Sequence, residues 1–508
     1  MKRYARVKSV TTIGLEVIEV IIEVDIDKKA VLHEIDVVGL GDTVIKESKK
    51  RVKSAMINSG FSFPQARVTI NLAPSDVKKE GSYLDLPMAV GILKGSSVIK
   101  DELDDYLFFG ELGLDGTVRK VRGVLPILLS LMKRKKKPTV ILPHGNRSEA
   151  SVLKGIEVIT VKNLGELVQF LNHEISKNPV EYFEPVFQQE SEEDISDIKG
   201  QEFAKRAAEI AAAGGHNILL RGSPGCGKTM LARRFPGILP RMTLEEAIET
   251  TKIYSVAGLL DGKGLVTQRP FRSPHHTAST ISVIGGGTNA KPGEISLSHN
   301  GVLFLDEFPE FRRDAVEALR QPLEDGVVNI SRAKITASYP SRFMLVLAQN
   351  PCPCGWYGDP SHECSCNWND IKRYNRKISG PLEDRIDMFV DMPRLEYGDY
   401  ASEKHGETST QVRDRVEEAR KIQLNKLRNH GIYSNSQLSH RQLEEVLEID
   451  FGAKMLLESA VERLKFTGRS IDKVLKVALT IATLEGGTKV YKKHIAEAIQ
   501  YRKKAINI

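Results

Sequence analysis

Hydrophobic and polar positions change period several times along this chain, and each change marks an element. LEVIEVIIEVDI, from Leu15 to Ile26, is dense in branched apolar residues and reads as a strand. ARVTINLAP sets Val68, Ile70 and Leu72 at period two, the pattern of a half-buried strand. Between them, DTVIKESKKRVKSAMINSG places Ile45, Ser48, Val52, Ala55 and Met56 along one helical face and stops at Gly60. PTVILP and IEVITV read as short buried strands. NLGELVQFLN reads as a closing helix, with Asn163 and Glu166 at capping-box spacing. Together these predict an α/β domain over residues 1–172.

Residues 173–196 carry prolines and an acidic run without sustained periodicity, the composition of a linker. A second α/β unit is predicted over 197–396. It opens with a helix carrying Ala204, Ala207, Ala208 and Ala211, followed by three short apolar runs, HNILLRG, GVLFLDEF and RFMLVLAQNP, each a buried strand ending on polar residues. From Tyr397 the period is helical to the end, with Val412, Val416, Ala419 and Leu424 on one face. An all-helical unit over 397–508 follows.

Chemistry enters at the strand ends. After HNILLRG comes Gly222, Ser223, Pro224, Gly225, Cys226, Gly227, Lys228, Thr229, the spacing of a phosphate-binding loop. Glycines let successive backbone N–H groups face phosphate oxygens, and the next helix adds its positive N-terminal end. Lys228 is expected to reach the β and γ phosphates of ATP, and Thr229 to ligate Mg2+. The end of GVLFLDEF supplies Asp306 as a second magnesium residue and Glu307 as general base or orienting group for the attacking water. Cys352, Cys354, Cys364 and Cys366 form two C-x-C pairs around a nine-residue loop, which can close a tetrahedral structural zinc site. Reduced thiols or a redox pair are the alternatives, because C-x-C is tighter than the usual knuckle.

Composition adds little to this. The 508 residues are 41% hydrophobic and 27% charged, which fits a multidomain globular protein. A formal charge of +7 permits a polyanionic partner without demanding one. The basic run Lys133–Lys137 is either a solvated patch or a nucleic-acid contact. No apolar run approaches membrane-spanning length and the N-terminus lacks a signal-peptide core, so a cytoplasmic protein with no membrane partner is expected. Five cysteines in so long a chain do not make a disulfide scaffold.

The order of these parts resembles AAA+ ATPases. That resemblance makes Asn350, at the end of RFMLVLAQNP, a sensor for the γ-phosphate, although Asn before Pro also suits a plain turn. It makes Arg385, in SGPLEDRID, an arginine finger offered to a neighbouring subunit, and Arg469, in GRSIDKVLKVA, a second sensor that touches the γ-phosphate. The stretch Arg269–Asn300 and the predicted hairpin GVVNISRAKITAS resemble the pore-facing inserts of the magnesium chelatase and MCM branch. Arg332 and Lys334 at the hairpin tip are therefore candidates for gripping DNA; a surface hairpin with solvated charges is the alternative.

In the first domain, VKKEGSYLDLPMAVGIL and GELGLDGTVRKVRGV resemble the Lon protease domain. The serine of its catalytic dyad aligns near Asp85 and the lysine near Leu125, with Ser82 and Lys120 at wrong offsets, which implies a Lon-like fold without peptidase chemistry. With PHH at Pro274–His276 and CPCG at Cys352, the whole chain resembles the ComM/YifB-like, magnesium-chelatase-like AAA+ ATPases. What that family implies is an α/β Lon-like domain, an AAA+ core and a helical lid, assembled as a homo-hexamer. It also implies an ATP-driven branch-migration helicase on single-stranded or branched DNA in natural transformation and homologous recombination, with recombination proteins as partners. A chelatase-type protein-remodelling ATPase and a peptidase or binding module are the competing functions.

Overall fold

The computed structural model describes residues 4–28, 34–39, 43–75, 82–187, 193–287, 290–332, 335–377, 380–395, 398 and 406–502. In the first domain, β1 (Tyr4–Ile13) and β2 (Glu16–Asp27) form an antiparallel hairpin, joined by β3 (Ile35–Val38) and β4 (Arg67–Ala73) in the order β1-β2-β4-β3. Val68, Ile70 and Leu72 are buried, as their alternation requires. The helix Thr43–Asn58 turns Ser48, Val52, Ala55 and Met56 into the core, while the side chain of Ile45 lies outside the described residues. The helix Asp85–Gly95 is buried along almost its whole length.

Beside it lie β5 (Tyr106–Phe108), a small β6 (Glu111–Leu112) and β7 (Val118–Arg119) ribbon, and β8 (Thr139–Pro143) with β9 (Val158–Val161), in a second sheet of order β5-β8-β9. Asn163 caps the helix Leu164–Leu171 through the Glu166 N–H. The Glu166 carboxylate takes the N–H of Lys162 instead of the cap residue's own, so the box is displaced by one residue.

The second unit is built on a five-stranded parallel sheet in the order β11-β14-β17-β10-β18: β10 (Ile218–Arg221), β11 (Phe271–Arg272), β14 (Val302–Leu305), β17 (Met344–Gln349) and β18 (Met388–Asp391). Every residue of β14 and β17 is buried, the continuous apolar pattern of strands covered on both faces. Parallel strands deliver all their carboxyl ends to one edge, where ligands bind in open α/β sheets. Two ribbons project from this scaffold: β12 (Gly285–Gly286) with β13 (Lys291–Pro292), and β15 (Val327–Arg332) with β16 (Ile335–Pro340).

Among the described residues five α-helices close the chain, Ser409–Leu427, His440–Val446, Phe451–Leu464, Gly468–Leu484 and Lys492–Gln500, and the expected all-helical unit also carries a short parallel ribbon of Glu448–Ile449 with Lys489–Val490. The helices share one core with the alanine-rich helix Glu202–Gly214, whose Ala204, Ala207, Ala208 and Ala211 are buried. Val412, Val416 and Ala419 face that core. The next inward place falls to Gln423 rather than Leu424, and its amide bonds the Ala213 carbonyl at 3.2 Å and the Thr483 hydroxyl at 3.1 Å.

The units are docked to each other. The Ser255 hydroxyl, on helix Leu244–Ala257 of the core, donates to buried Glu149 of the first domain at 2.6 Å, and the Gly123 N–H donates to the Ser255 carbonyl at 3.0 Å. Gly14, in the β1–β2 turn, has φ +58, and a Cβ there would lie 2.8 Å from Ala337 on β16. The segment between domains is pinned as well, because the Asp194 carboxylate accepts the Ser409 N–H at 3.0 Å and the Ser409 hydroxyl accepts the Ile195 N–H at 2.8 Å.

Candidate nucleotide-phosphate site

The three apolar strands bring their polar ends together. Arg221 pairs in register with Gln349, and Leu305 with Leu347, so the loop after β10, Asp306 after β14 and Asn350 after β17 meet at the carboxyl edge. Glycines shape the loop in two ways. Gly225 and Gly227 have φ of +80 and +98, which side chains resist, whereas a Cβ on Gly222 would sit 2.3 Å from the Met392 carbonyl oxygen. Cys226 is buried beneath the loop, and desolvation pushes its thiol up.

Lys228 opens the helix Lys228–Arg233 and curls back into the loop. Its Nζ donates to the carbonyls of Gly222 at 2.7 Å and Ser223 at 3.0 Å, and to Asn350 Oδ1 at 3.1 Å. These acceptors are uncharged, as is the Cys226 thiol 3.8 Å away, while Asp306 and Glu307 act on the ammonium through space without bonding it. Burial lowers the ammonium pKa, a cost that an anion within reach would offset. The Thr229 hydroxyl donates to Asp306 Oδ2 at 2.6 Å, and the other Asp306 oxygen accepts the Glu307 N–H at 2.9 Å. A hydroxyl and a carboxylate meeting beside a glycine-lined cradle are a hard-oxygen donor pair suited to magnesium, so the residues present fit ATP with Mg2+.

Glu307 adopts a left-handed backbone, φ +48, and is half exposed. Its Oε2 lies 3.5 Å from His276 Nδ1, while the His275 ring lies against His276, tilted by 33° with centroids 4.1 Å apart. The sequence singled out the PHH segment without giving it a task. The structure sets His276 against the carboxylate expected to act on water. A cue lay in its place after β11, the strand beside β14.

Arg385 and Arg469 are not at this edge. Asp387 immediately precedes β18, so residues 384–387 lie at the amino edge of the sheet, the opposite end from the phosphate loop. There Arg385 pairs with Glu324, and Arg469 Nη1 bonds Asp384 at 3.0 Å. Lys473, one turn along the same helix, holds Asp387 at 2.8 Å and the Ile386 carbonyl at 3.0 Å. A cleft of about 480 Å³ opens here, lined by Arg342, Arg385, Arg420 and Lys473. Arg469 therefore stands beside Arg385 and not over its own chain's phosphate loop.

The four cysteines are brought together. Their sulfurs all lie within 4.8 Å of one another, with Cys352 buried and its partners half-buried. Backbone N–H groups of Tyr357 and Cys366's neighbour Cys354 point at sulfur, each at 3.3 Å. Against a burial penalty, the Trp356 N–H and the adjacent thiols hold Cys354 down at about 6, while desolvation pushes Cys364 up to about 12. Four thiols so close cannot all ionise without a cation, and a tetrahedral metal suits them.

The β15–β16 hairpin forms, but Lys334 and the side chain of Arg332 lie outside the described residues. Tyr339, buried on β16, donates its hydroxyl to the Ala290 carbonyl at 2.9 Å, tying the hairpin to the insert that carries β12 and β13. In the first domain, Asp85 is fully buried and takes two bonds from Arg51, at 2.9 and 3.1 Å, plus the Leu112 N–H at 3.3 Å. Leu125 is a core residue and Lys120 is exposed; the Ser82 side chain lies outside the described residues.

Comparison with known proteins agrees with this assembly of parts. Three family models match in sequence order: subunit ChlI of Mg-chelatase over residues 22–146, Magnesium chelatase, subunit ChlI over 194–400, and its C-terminal region over 406–502. The competence protein ComM of Haemophilus influenzae is 42% identical over 471 residues, covering 92% of this chain and 91% of the relative. The YifB protein of Escherichia coli is 39% identical over 497 residues, covering 96% and 95%. A DNA replication licensing factor, mcm6 of Dictyostelium discoideum, is 23% identical over 316 residues, 59% of this chain and 32% of its own. With a parallel-sheet α/β core and relatives matched nearly end to end, the chain belongs to the ComM/YifB-like family of magnesium-chelatase-like AAA+ proteins.

Proposed function

We propose that this protein hydrolyses ATP with Mg2+ in a homo-hexameric ring and uses the energy to move DNA, as a branch-migration motor in recombination and natural transformation. The observation that carries the ATPase reading is Lys228, a buried cation held by neutral acceptors beside the Thr229–Asp306 pair. Lys228 exchanges its carbonyls for β and γ phosphate oxygens, Thr229 and Asp306 hold magnesium, Asn350 orients the γ-phosphate, and Glu307 takes the proton of the attacking water. The ring reading is supported by Arg385 and Arg469 at the sheet edge opposite their own phosphate loop, where they suit a neighbour's nucleotide.

DNA as the substrate is supported by the competence-protein and licensing-factor relatives and by the hairpin and insert that project together. A protein-remodelling ATPase of chelatase type is the second reading, favoured by the family models. The cysteine cluster is read as a structural zinc site. Steady-state ATPase with and without single-stranded, duplex and four-way-junction DNA tests the first reading. DNA stimulation that fades as salt rises is expected. Glu307→Gln is expected to bind ATP while turnover drops about 10²–10⁴-fold. No stimulation by any DNA form transfers the assignment to a protein partner.

A further inference from the structure

The cysteine loop touches the phosphate loop. Gly355, directly after Cys354, has φ +87, and a Cβ there would lie 2.8 Å from two carbons of the Pro224 ring and 3.9 Å from the Asn350 side chain. No side chain fits between the Gly355 backbone and the Pro224 ring. Four residues further on, Asp359 has a side chain only 1% exposed. It accepts the Ser361 N–H at 2.9 Å and the Ser361 hydroxyl at 2.7 Å. The two Ser361 bonds, both to one carboxylate oxygen, hold Asp359 down at about 2, and its other oxygen is buried with no hydrogen-bond partner among the described residues. Pro224 and Ser223 are phosphate-loop residues, and Ser223 offers its carbonyl to Lys228. Arg394 closes the far side, donating to the Ser361 hydroxyl at 2.6 Å.

One rigid object is therefore braced against the most ligand-sensitive backbone of the motor. The brace has only short elements of its own to stiffen it. Residues 351–367 form turns and irregular backbone, cross-tied where the four sulfurs meet and by a few local hydrogen bonds. A bound tetrahedral metal adds order by tying Cys352 and Cys354, which follow Asn350 closely, to Cys364 and Cys366.

We propose that the tetracysteine site is a metal-dependent brace of the phosphate loop, so that metal occupancy and nucleotide affinity are coupled through the Gly355–Pro224 contact. The proposal rests on the zinc reading given above and adds its regulatory consequence. Coupling of this kind is reciprocal: metal tightens nucleotide binding, and nucleotide tightens metal binding by the same factor.

The test uses the full chain and two independent readouts. Metal content per chain is measured by atomic emission, and affinity by titration with a fluorescent ADP analogue at saturating magnesium. Both are measured for protein as purified, after thiol-directed metal stripping, and after reloading with zinc. Stripping is expected to weaken nucleotide affinity about tenfold and reloading to restore it. Retention of zinc against a chromophoric chelator is expected to rise by a similar factor when Mg-ADP is added. Gly355→Ala separates the brace from the metal by disturbing its contact with Pro224, with zinc content unchanged and affinity weakened about threefold to tenfold. Circular dichroism and the unfolding midpoint confirm that the compared samples are folded. One zinc per chain with identical affinity in stripped and loaded protein overturns the brace and leaves the metal site standing. No metal in anaerobically purified protein, and none taken up on reloading, overturns both.

Discussion

Two buried charges, one in each α/β unit, have opposite fates. Asp85 in the first domain lies at the start of a buried helix and is locked by the Arg51 guanidinium and a backbone N–H. Desolvation pushes its carboxyl up and Arg51 draws it back, so the ion pair is a condition of the fold. Lys228 in the second unit also opens a helix and is also buried, yet it is held by two carbonyls and an amide oxygen. A charge held by a counter-charge is architecture, because releasing it exposes two ions. A charge held by neutral acceptors is exchangeable, because a phosphate can replace them at little cost.

The two charges answer different measurements. Lys228→Ala removes charge-assisted bonds to phosphate worth about 1.5–3 kcal/mol each, so nucleotide binding falls by two or more orders of magnitude. Its unfolding free energy stays within about 1 kcal/mol of wild type, since no counter-ion is stranded. Fluorescent-nucleotide titration alongside urea unfolding reads both. Arg51→Ala does the reverse: it strands the Asp85 carboxylate and costs about 3–5 kcal/mol of first-domain stability, with nucleotide affinity unchanged in the protein that remains folded. Equal destabilisation by the two variants would break the comparison.

A smaller effect sharpens it. Mg-ATP at about 100 times its dissociation constant stabilises Glu307→Gln protein by about 2.7 kcal/mol, read as a rise in midpoint, and does nothing for Lys228→Ala. The smallest effect concerns a third charge. Lys473 and His216 hold Asp387 below the usual carboxylate range despite desolvation. A depressed carboxyl contributes stability that is present above about pH 4 and lost as pH falls below it. Wild-type stability is expected to decline there by at most about 1.4 kcal/mol per pH unit from this group, and Asp387→Asn to show a shallower slope in urea unfolding at stepped pH.

The parts legible in the sequence were those whose chemistry is local. The glycine spacing from Gly222 to Thr229, the apolar run ending at Asp306 and the alternation at Val68, Ile70 and Leu72 each encode their element within a few residues. Long-range pairings left no such trace. Nothing in SGPLEDRID or GRSIDKVLKVA says that Arg385 and Arg469 share the amino edge of the sheet, because the docking of the lid decides it. His276 reaches Glu307 only because β11 lies next to β14, and Arg51 meets Asp85 across 34 residues. The Leu424 expectation failed for a different reason: a helical face predicts which side is inward, and Gln423 takes that side because buried acceptors are waiting for its amide.

The pinning of Asp194 to Ser409 has a consequence for how the protein is made. Asp194 leaves the ribosome 215 residues before its partner, a wait of about 10–40 s at ordinary rates of synthesis. During that interval the helix Glu202–Gly214 has no lid to cover it. A face of leucines would be a sticky surface for that long. The side chains with partners in the lid are Phe203 against Tyr501, Arg206 on Glu497 and Glu209 on Arg415, and two charged groups among the three keep that face wetted while the nascent chain waits.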